Sequence, residues 1–183
     1  TRGSGVQLTT HEIGHNLGMW HASTDTNNDG TLDCEYCDTS DFMGYATANL
    51  RTQNGPHKVQ MGWASGARVV DGSSGGTFTV SSLALSAAGS PQVVKVRPNS
   101  GDAYYLSLRT PVGYDQTMPS GTTYLNKLNV HRYSGSGNTR FVAALGDGQT
   151  IAEVATAQGV DVNTVIDAMV ADVLERRPDA DET

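Results

Sequence analysis

The chain has 183 residues, 37% of them hydrophobic, and a formal net charge of −7 at pH 7. This length suits one or two small domains, and no run of about 18 apolar residues predicts a membrane-spanning helix. Residues 150–183 carry a net charge of −6, so the rest of the chain is nearly neutral. The part before residue 150 therefore lacks the excess of basic residues that would attract nucleic acid or an anionic membrane.

The first predicted element is a helix over residues 6–17, which carries two of three closely spaced histidines. His11 and His15 are four residues apart, so their imidazoles lie on one face of the helix. Gly18 can adopt the left-handed conformation that ends a helix, and the turn brings His21 towards the other two. Three neutral imidazoles with one open position are the coordination of a catalytic zinc ion. The spacing therefore predicts zinc ligands at all three histidines.

Glu12 stands next to the first of these histidines. Its carboxylate projects beside the ion without having to bind it, so it can take a proton from water on the metal. We therefore predict that Glu12 is the general base of a hydrolytic reaction. The alternative is a helix whose histidines only pack or face solvent, and the fixed spacing of the motif disfavours it.

Residues 22–42 are predicted as a long polar loop with a candidate calcium site. Its candidate ligands are Asp25, Asn27, Asp29 and Asp33. The first three alternate along the chain, and Gly30 follows where a calcium loop needs a sharp turn. The twelfth position, which normally supplies a bidentate glutamate, is Tyr36, so Asp33 or Glu35 would have to substitute. A solvated turn is the alternative.

The two cysteines, Cys34 and Cys37, lie in the same loop as the sequence CEYC. A disulfide would suit a secreted protein and free thiols a cytosolic one, whereas a zinc site would lack its other half. The favoured interpretation is a disulfide that closes a small ring and adds little stability.

The second predicted helix covers residues 54–62, with Asn54 as its cap. Val59 and Met61 are expected to pack under the metal site. His57 is expected on the surface or in ordinary packing.

A stretch rich in Ser and Gly, residues 64–75, marks a predicted boundary, and the pattern beyond it has a period of two. The predicted strands cover residues 68–70, 77–83, 92–97, 103–109, 127–133 and 140–145. Short strands separated by turn residues favour an antiparallel β-sandwich-like module. Its expected role is to support the rest of the protein, and the alternative is binding of wall polymer or sugar. His131 is expected to be structural.

Residues 149–183 predict a helical hairpin followed by an acidic tail. The segment TIAEVATAQGVDVNTVIDAMV resembles the helix-turn-helix of lac-repressor-type regulators, whose second helix enters the major groove. Here that second helix carries Asp161, Asp167 and Asp172, and it has no basic residue before Arg176. Acids at these positions oppose phosphate contacts, so we predict no nucleic-acid partner.

The extended motif HExxHxxGxxH at the start of the chain is the signature of the metzincin metalloproteases. The segments HEIGHNLGMWHA, EYCDTSDFMGYA and NGPHKVQMGW together resemble the gametolysin family of metzincins and related bacterial secreted proteases. The resemblance covers roughly residues 5–148. Cys37 departs from it, because relatives commonly have glycine there.

The resemblance implies a methionine in a tight turn beneath the metal, and Met43 fits that position. Tyr45 stands where some metzincins carry a tyrosine that hydrogen-bonds the transition state or binds the metal. Such enzymes place a twisted sheet upstream of the active-site helix, whereas this chain begins at Thr1. We therefore expect it to be the C-terminal portion of a longer secreted protein.

Together, the elements and the resemblance predict an α+β fold of three parts. These are a partial zincin-like catalytic subdomain, an antiparallel β-sandwich-like module and a C-terminal helical hairpin, at residues 1–64, 65–148 and 149–183. The predicted function is zinc-dependent hydrolysis of protein or peptide substrates outside the cell, with zinc as the metal and calcium as a second candidate ion. The alternative is a non-catalytic zinc-containing binding module, that is, a truncated or degenerate protease, and this leaves open whether the present chain is active by itself. A third hypothesis, a DNA-binding regulator, rests on the tail alone.

Overall fold

The computed structural model describes residues 5–45, 50–86 and 89–146. The predicted helical hairpin at 149–183 lies outside them. The described chain contains two α-helices and six strands: α1 (Gly5–Asn16), β1 (Ala22–Thr24), α2 (Gly55–Gln60), β2 (Val69–Asp71), β3 (Val93–Val96), β4 (Ala103–Arg109), β5 (Lys127–Tyr133) and β6 (Thr139–Leu145). Neither helix is long and apolar enough to cross a membrane.

Helix α1 agrees with its predicted limits to within one residue and ends as its glycine predicts. Gly18 has a φ of +91° and donates its N–H to the carbonyl of His15, while Met19 donates to Gly14. This pair of hydrogen bonds is the Schellman motif, in which the left-handed residue closes the last turn. The helix buries only Gln7 and Gly14, so its large apolar side chains face outwards.

Helix α2 is shorter than predicted but begins at the predicted cap. The Asn54 side chain accepts a hydrogen bond from the His57 N–H at 3.0 Å, which satisfies one of the free donors of the first turn. Met61 packs with the buried residues around Met43, as expected. Val59 instead packs on the sheet with Ala64 and its neighbours, so its predicted place under the metal site is wrong.

The six strands form one sheet in the order β1-β6-β5-β4-β3-β2. The central pairings are antiparallel, whereas β1 with β6 and β2 with β3 are parallel. The structure therefore corrects the predicted antiparallel sandwich to a single mixed sheet within the described residues. Alternating burial predicts that a segment is a strand, but it carries no information about the direction of its partner.

The strand limits were well predicted in the centre of the sheet and poorly at one position. Strands β4 and β5 cover the predicted residues 103–109 and 127–133. The predicted strand at 77–83 forms only an isolated bridge between Ser82 and Leu108. Its flanking run of Ser and Gly residues favours turns over a continuous ladder.

Residues from both sides of the predicted boundary near residue 64 contribute to the sheet. Strand β1 precedes that boundary and pairs with β6, and helix α2 contacts β4 and β5. The side chains of Tyr105 and Ser107 on β4 lie within 3.7 Å of where a Cβ on Gly55 would be, which shows how closely α2 approaches the sheet. The division into domains stays a prediction.

Candidate metal centre

The three predicted zinc ligands come together at the C-terminal half of α1 and the turn after it. One ligand atom from each of His11, His15 and His21 can be chosen so that all lie within 4.8 Å of one another. The Nε2 atoms of His15 and His21 are 3.2 Å apart. Within the described ranges this is the one group of three or more such side chains that could hold a metal ion.

Each imidazole is oriented through its other nitrogen. The Nδ1 of His11 lies 3.0 Å from the Phe42 carbonyl oxygen, and the Nδ1 of His15 lies 2.9 Å from that of Met19. A carbonyl only accepts, so both Nδ1 atoms carry the proton and donate, and each Nε2 keeps its lone pair. These second contacts fix the tautomer that metal binding requires.

His21 is oriented by a carboxylate. Its Nδ1 lies 2.8 Å from Oε1 of Glu35, an arrangement that also strengthens the imidazole as a donor to a metal. The backbone of His21 is held to the far end of the chain, because its N–H donates to Asn138 Oδ1 and its carbonyl accepts from the Thr139 N–H. The third ligand therefore depends on contacts far away in sequence.

The donor set fits a zinc ion. With Zn–N bonds of 2.0–2.1 Å, tetrahedral geometry places ligand nitrogens about 3.3 Å apart. The 3.2 Å between Nε2 of His15 and Nε2 of His21 matches that spacing, and one ligand atom from each of the three histidines lies within 4.8 Å of the others. The three histidines are only partly buried, so solvent can reach the cluster.

Met43 lies directly against the histidine-bearing helix. It is fully buried with Met19, Ala22 and Phe42, and a Cβ on Gly14 would sit 2.3 Å from its Sδ. Gly14 lies between His11 and His15 in the sequence and is one of the two buried residues of α1. The methionine thus packs beneath the segment that carries two of the ligands.

A buried polar network holds the turn that presents Met43. Asp41 accepts hydrogen bonds from the backbone N–H groups of Met43 and Asn54, and from Nδ1 of His57 at 2.7 Å. His57 is fully buried, so of its two predicted positions the structure shows the packed one and not the surface. Sequence reasoning missed Asp41, although its place two residues before the methionine is typical of a side chain that caps a tight turn.

Asp38 joins the same turn to the sheet. It accepts from Nε2 of His131 at 3.0 Å and from Nδ2 of Asn54 at 3.1 Å, and that amide also donates to Thr139. Burial alone would raise the pKa of Asp38, but the charge and hydrogen bond of His131 and the bonds from Ser40 and Asn54 lower it to about 2. His131 is buried here, as a structural residue would be.

Glu12 lies beside the first ligand with an exposed side chain. Its carboxylate forms no hydrogen bond with the described part of the chain. Its charge nevertheless acts on the phenol of Tyr36 across the histidine cluster. A carboxylate with no hydrogen-bond partner among the described residues can act on water at the neighbouring histidines.

Two tyrosines stand near the cluster, and the predicted one is the more distant. Tyr45 is 57% exposed, and its N–H donates to the Tyr36 carbonyl. The Tyr36 ring lies between Tyr45 and His21, with centroid distances of 5.5 and 4.2 Å. Loss of solvent, followed by the nearby charges of Glu35, Tyr45 and Glu12, raises the pKa of Tyr36. In the sequence, Tyr36 stands out only because it occupies the twelfth position of the candidate calcium loop, where a glutamate is normal.

Glu35 and Tyr36 are the two residues enclosed by a disulfide between Cys34 and Cys37, which confirms the predicted bond. The ring is tied to β1, since Ser23 Oγ donates to the Glu35 carbonyl and Thr24 N–H donates to that of Cys34. The ring closed by the disulfide therefore places the side chains of Glu35 and Tyr36 next to His21. The sequence signal for both was their place inside CEYC.

The candidate calcium ligands do not share one cluster. Asp25 Oδ2 accepts from Gly30 N–H, Asp29 Oδ1 accepts from Thr31 N–H, and Asp33 Oδ2 accepts from Thr26. The Asn27 amide donates to Asp29. The carboxylates thus cap turns of the loop separately, and calcium stays a prediction.

Two imidazoles on α1 and a third after its C-terminal turn, all oriented through Nδ1, form a cluster that could hold a single metal ion. The family model described as gametolysin peptidase M11 matches residues 3–166. The chain therefore belongs to the gametolysin peptidase family, and this supports its assignment as a metalloprotease. Comparison with curated proteins and with solved structures gave no match.

Proposed function

We propose that this chain carries the active site of a zinc-dependent metzincin endopeptidase. The observation that supports this best is the convergence of His11, His15 and His21, each with its Nδ1 engaged so that its Nε2 is available to one ion. A zinc ion held there would lower the pKa of water to about 7 and polarise a substrate carbonyl. Family membership supports a peptide or protein as the substrate.

The chain's own residues then divide the work. Glu12 takes a proton from the attacking water and passes it to the leaving amine, a transfer that a positioned carboxylate performs well. A phenol donates a hydrogen bond to the negative charge that develops on the carbonyl oxygen. Tyr45 is the candidate from the motif, and Tyr36 is the phenol that lies nearer to the imidazoles. Met43 and Gly14 hold the ligand-bearing helix in place.

We propose an extracellular location, and the disulfide supports it because such bonds persist in oxidising compartments. The partial zincin-like subdomain also remains part of this proposal. The carboxylate of Glu12 is exposed and has no hydrogen bond within the described ranges, which supports catalysis over a purely zinc-containing binding module, since holding the ion requires no such carboxylate.

The test compares zinc content with cleavage of an unstructured protein such as casein. The chain should bind one zinc per molecule, lose cleavage on chelation and regain it when zinc is restored. Glu12→Gln is the matched variant, because it should keep zinc and lose at least about a hundredfold in kcat. Cleavage by zinc-loaded Glu12→Gln at the wild-type rate would reject the base assignment, and a zinc-loaded wild type that cleaves nothing would reject the endopeptidase.

A further inference from the structure

A cavity of about 600 Å³ lies beside two of the segments that build the candidate metal centre. Thr10 of α1 and Phe42 of the methionine turn line this cavity. Thr10 directly precedes the first metal ligand, and the Phe42 carbonyl accepts the hydrogen bond that orients His11. The cavity therefore adjoins the chain neighbour of His11 and the residue whose carbonyl orients it.

The charge of the cavity is opposite to that of the chain. Among the described residues, Arg51, Lys58 and Arg68 line it and no acidic residue does, although the whole protein has a net charge of −7. Each of the three donates to a backbone carbonyl, those of Thr39, Leu83 and Ser86 respectively. The ion pairs within the described residues include none of them.

These cations are placed where an unneutralised charge is costly. Burial, and then the charge of Arg109, lowers the pKa of Lys58 to about 8, and Arg68 adds to the effect while Asp115 and Asp41 oppose it. Burial and Arg109 also lower the pKa of Arg51. A bound carboxylate would relieve this cost, because charge-assisted hydrogen bonds are strongest in a partly desolvated site.

The remaining walls of the cavity include apolar side chains that suit the aliphatic part of a substrate side chain. Trp63 and Tyr114 present partly exposed rings, and Leu85 adds an aliphatic surface. A neighbouring cavity of about 460 Å³ shares Leu85 and Tyr114 and extends the same groove. An extended peptide could therefore run through the groove with one side chain among the cations.

We propose that this cavity is a specificity subsite that selects an acidic residue, Glu or Asp, in the peptide substrate. Arg51, Lys58 and Arg68 bind its carboxylate, and the aromatic walls contact its neighbours. The inference rests on the proposed endopeptidase function, because it names a preference of that same active site.

Binding can be measured separately from cleavage. The zinc-loaded Glu12→Gln protein holds substrate without turning it over, and Trp20→Phe in that background leaves Trp63 as the single tryptophan reporter in the chain. The probes are two blocked eight-residue peptides of neutral residues that differ only by Glu or Gln at one position. We expect the Glu peptide to bind at least about tenfold more tightly, and the ratio to fall below about threefold in Lys58→Gln.

Two further variants keep the test decisive. Arg68→Glu should reverse the preference, so that a peptide with Lys in that position binds better than the Glu peptide. Lys127→Gln removes one positive charge from β5, away from the cavity lining, and should leave the ratio at its wild-type value. If Lys58→Gln does not fold, the reversal in Arg68→Glu still decides the matter.

The outcomes separate the two proposals. Equal affinity for Glu and Gln peptides, in a protein whose wild type cleaves both, would overturn the acidic subsite and leave the endopeptidase intact. A clear preference in binding, in a zinc-loaded wild type that cleaves no peptide, would support the subsite and overturn the endopeptidase.

Discussion

The sulfur of Met43 lies against Gly14 so closely that a Cβ on the glycine would be 2.3 Å from it. A contact below 3.0 Å cannot be kept, so the methionine or the helix must move when any side chain is added. Gly14 lies on α1 between His11 and His15, the two proposed metal ligands of this helix, so a displacement there should move both imidazoles.

The first prediction is that Gly14→Ala destabilises the protein and weakens zinc binding. Overpacking of this kind typically costs about 1–3 kcal/mol in the free energy of unfolding. Gly5→Ala is the matched control, because Gly5 is in the same helix and has no atom within 4 Å of the added methyl. Urea unfolding of both variants checks the prediction, and equal midpoints would contradict it.

The second prediction concerns the carboxylate behind His21. Glu35→Ala should weaken zinc binding by about 10–100-fold, the usual effect of removing a residue that orients a ligand. Glu35→Gln should recover part of the loss, since its amide oxygen can still accept from Nδ1 at the 2.8 Å seen here. The measurement is competition for zinc with a chromogenic chelator, and wild-type affinity in Glu35→Ala would count against the role.

The third prediction is that the disulfide acts on the metal through Glu35 and Tyr36. Breaking it with Cys34→Ser plus Cys37→Ser should loosen the ring and lower zinc affinity. In a Glu35→Ala background the same change should have a clearly smaller effect, because the loosened contact is already gone. Equal losses in both backgrounds would show that the bond serves only general stability.

The fourth prediction separates the two phenols. Tyr36 lies 4.2 Å from the His21 ring, whereas Tyr45 lies behind it and is 57% exposed. Tyr36→Phe should therefore lower kcat by about tenfold or more with little change in zinc content, as expected for the loss of one hydrogen-bond donor to a developing charge. A larger kcat loss in Tyr45→Phe would assign that role to the residue that the motif predicts.

The fifth prediction concerns acid. The pKa of Asp38 is about 2 in the folded protein, well below its ordinary value of 3.8. The unfolded chain thus binds a proton first as the pH falls, so the stabilisation is complete above about pH 4 and is lost towards about pH 2. It amounts to about 2 kcal/mol, and Asp38→Asn should show a shallower decline in unfolding free energy over this range.

The parts of the molecule that were predictable from sequence are those set by local spacing. The offsets of His11, His15 and Gly18 fix a helix face and its end, and the alternation along β4 and β5 fixes both strands. These patterns need no knowledge of the partner segment.

The missed features all involve distant partners. Asp38 and Asp41 look like ordinary polar loop residues until α2 and the sheet close over them. The parallel pairing of β1 with β6 joins Ala22 to Thr139, and neither the short length of β1 nor its composition signals it. The hydrogen bond from His11 to the Phe42 carbonyl has no sequence signal either, because every residue carries the same backbone acceptor.

The backbone of His21 is hydrogen-bonded to Asn138 and Thr139, which affects when the metal site can form during folding. During synthesis, His11 and His15 on α1 emerge long before Asn138 and Thr139, which hold the backbone of the third histidine, His21. We expect tight metal capture to be a late event in maturation, and a version truncated before residue 138 to hold zinc only loosely. Metal uptake would then serve as a readout of completed folding.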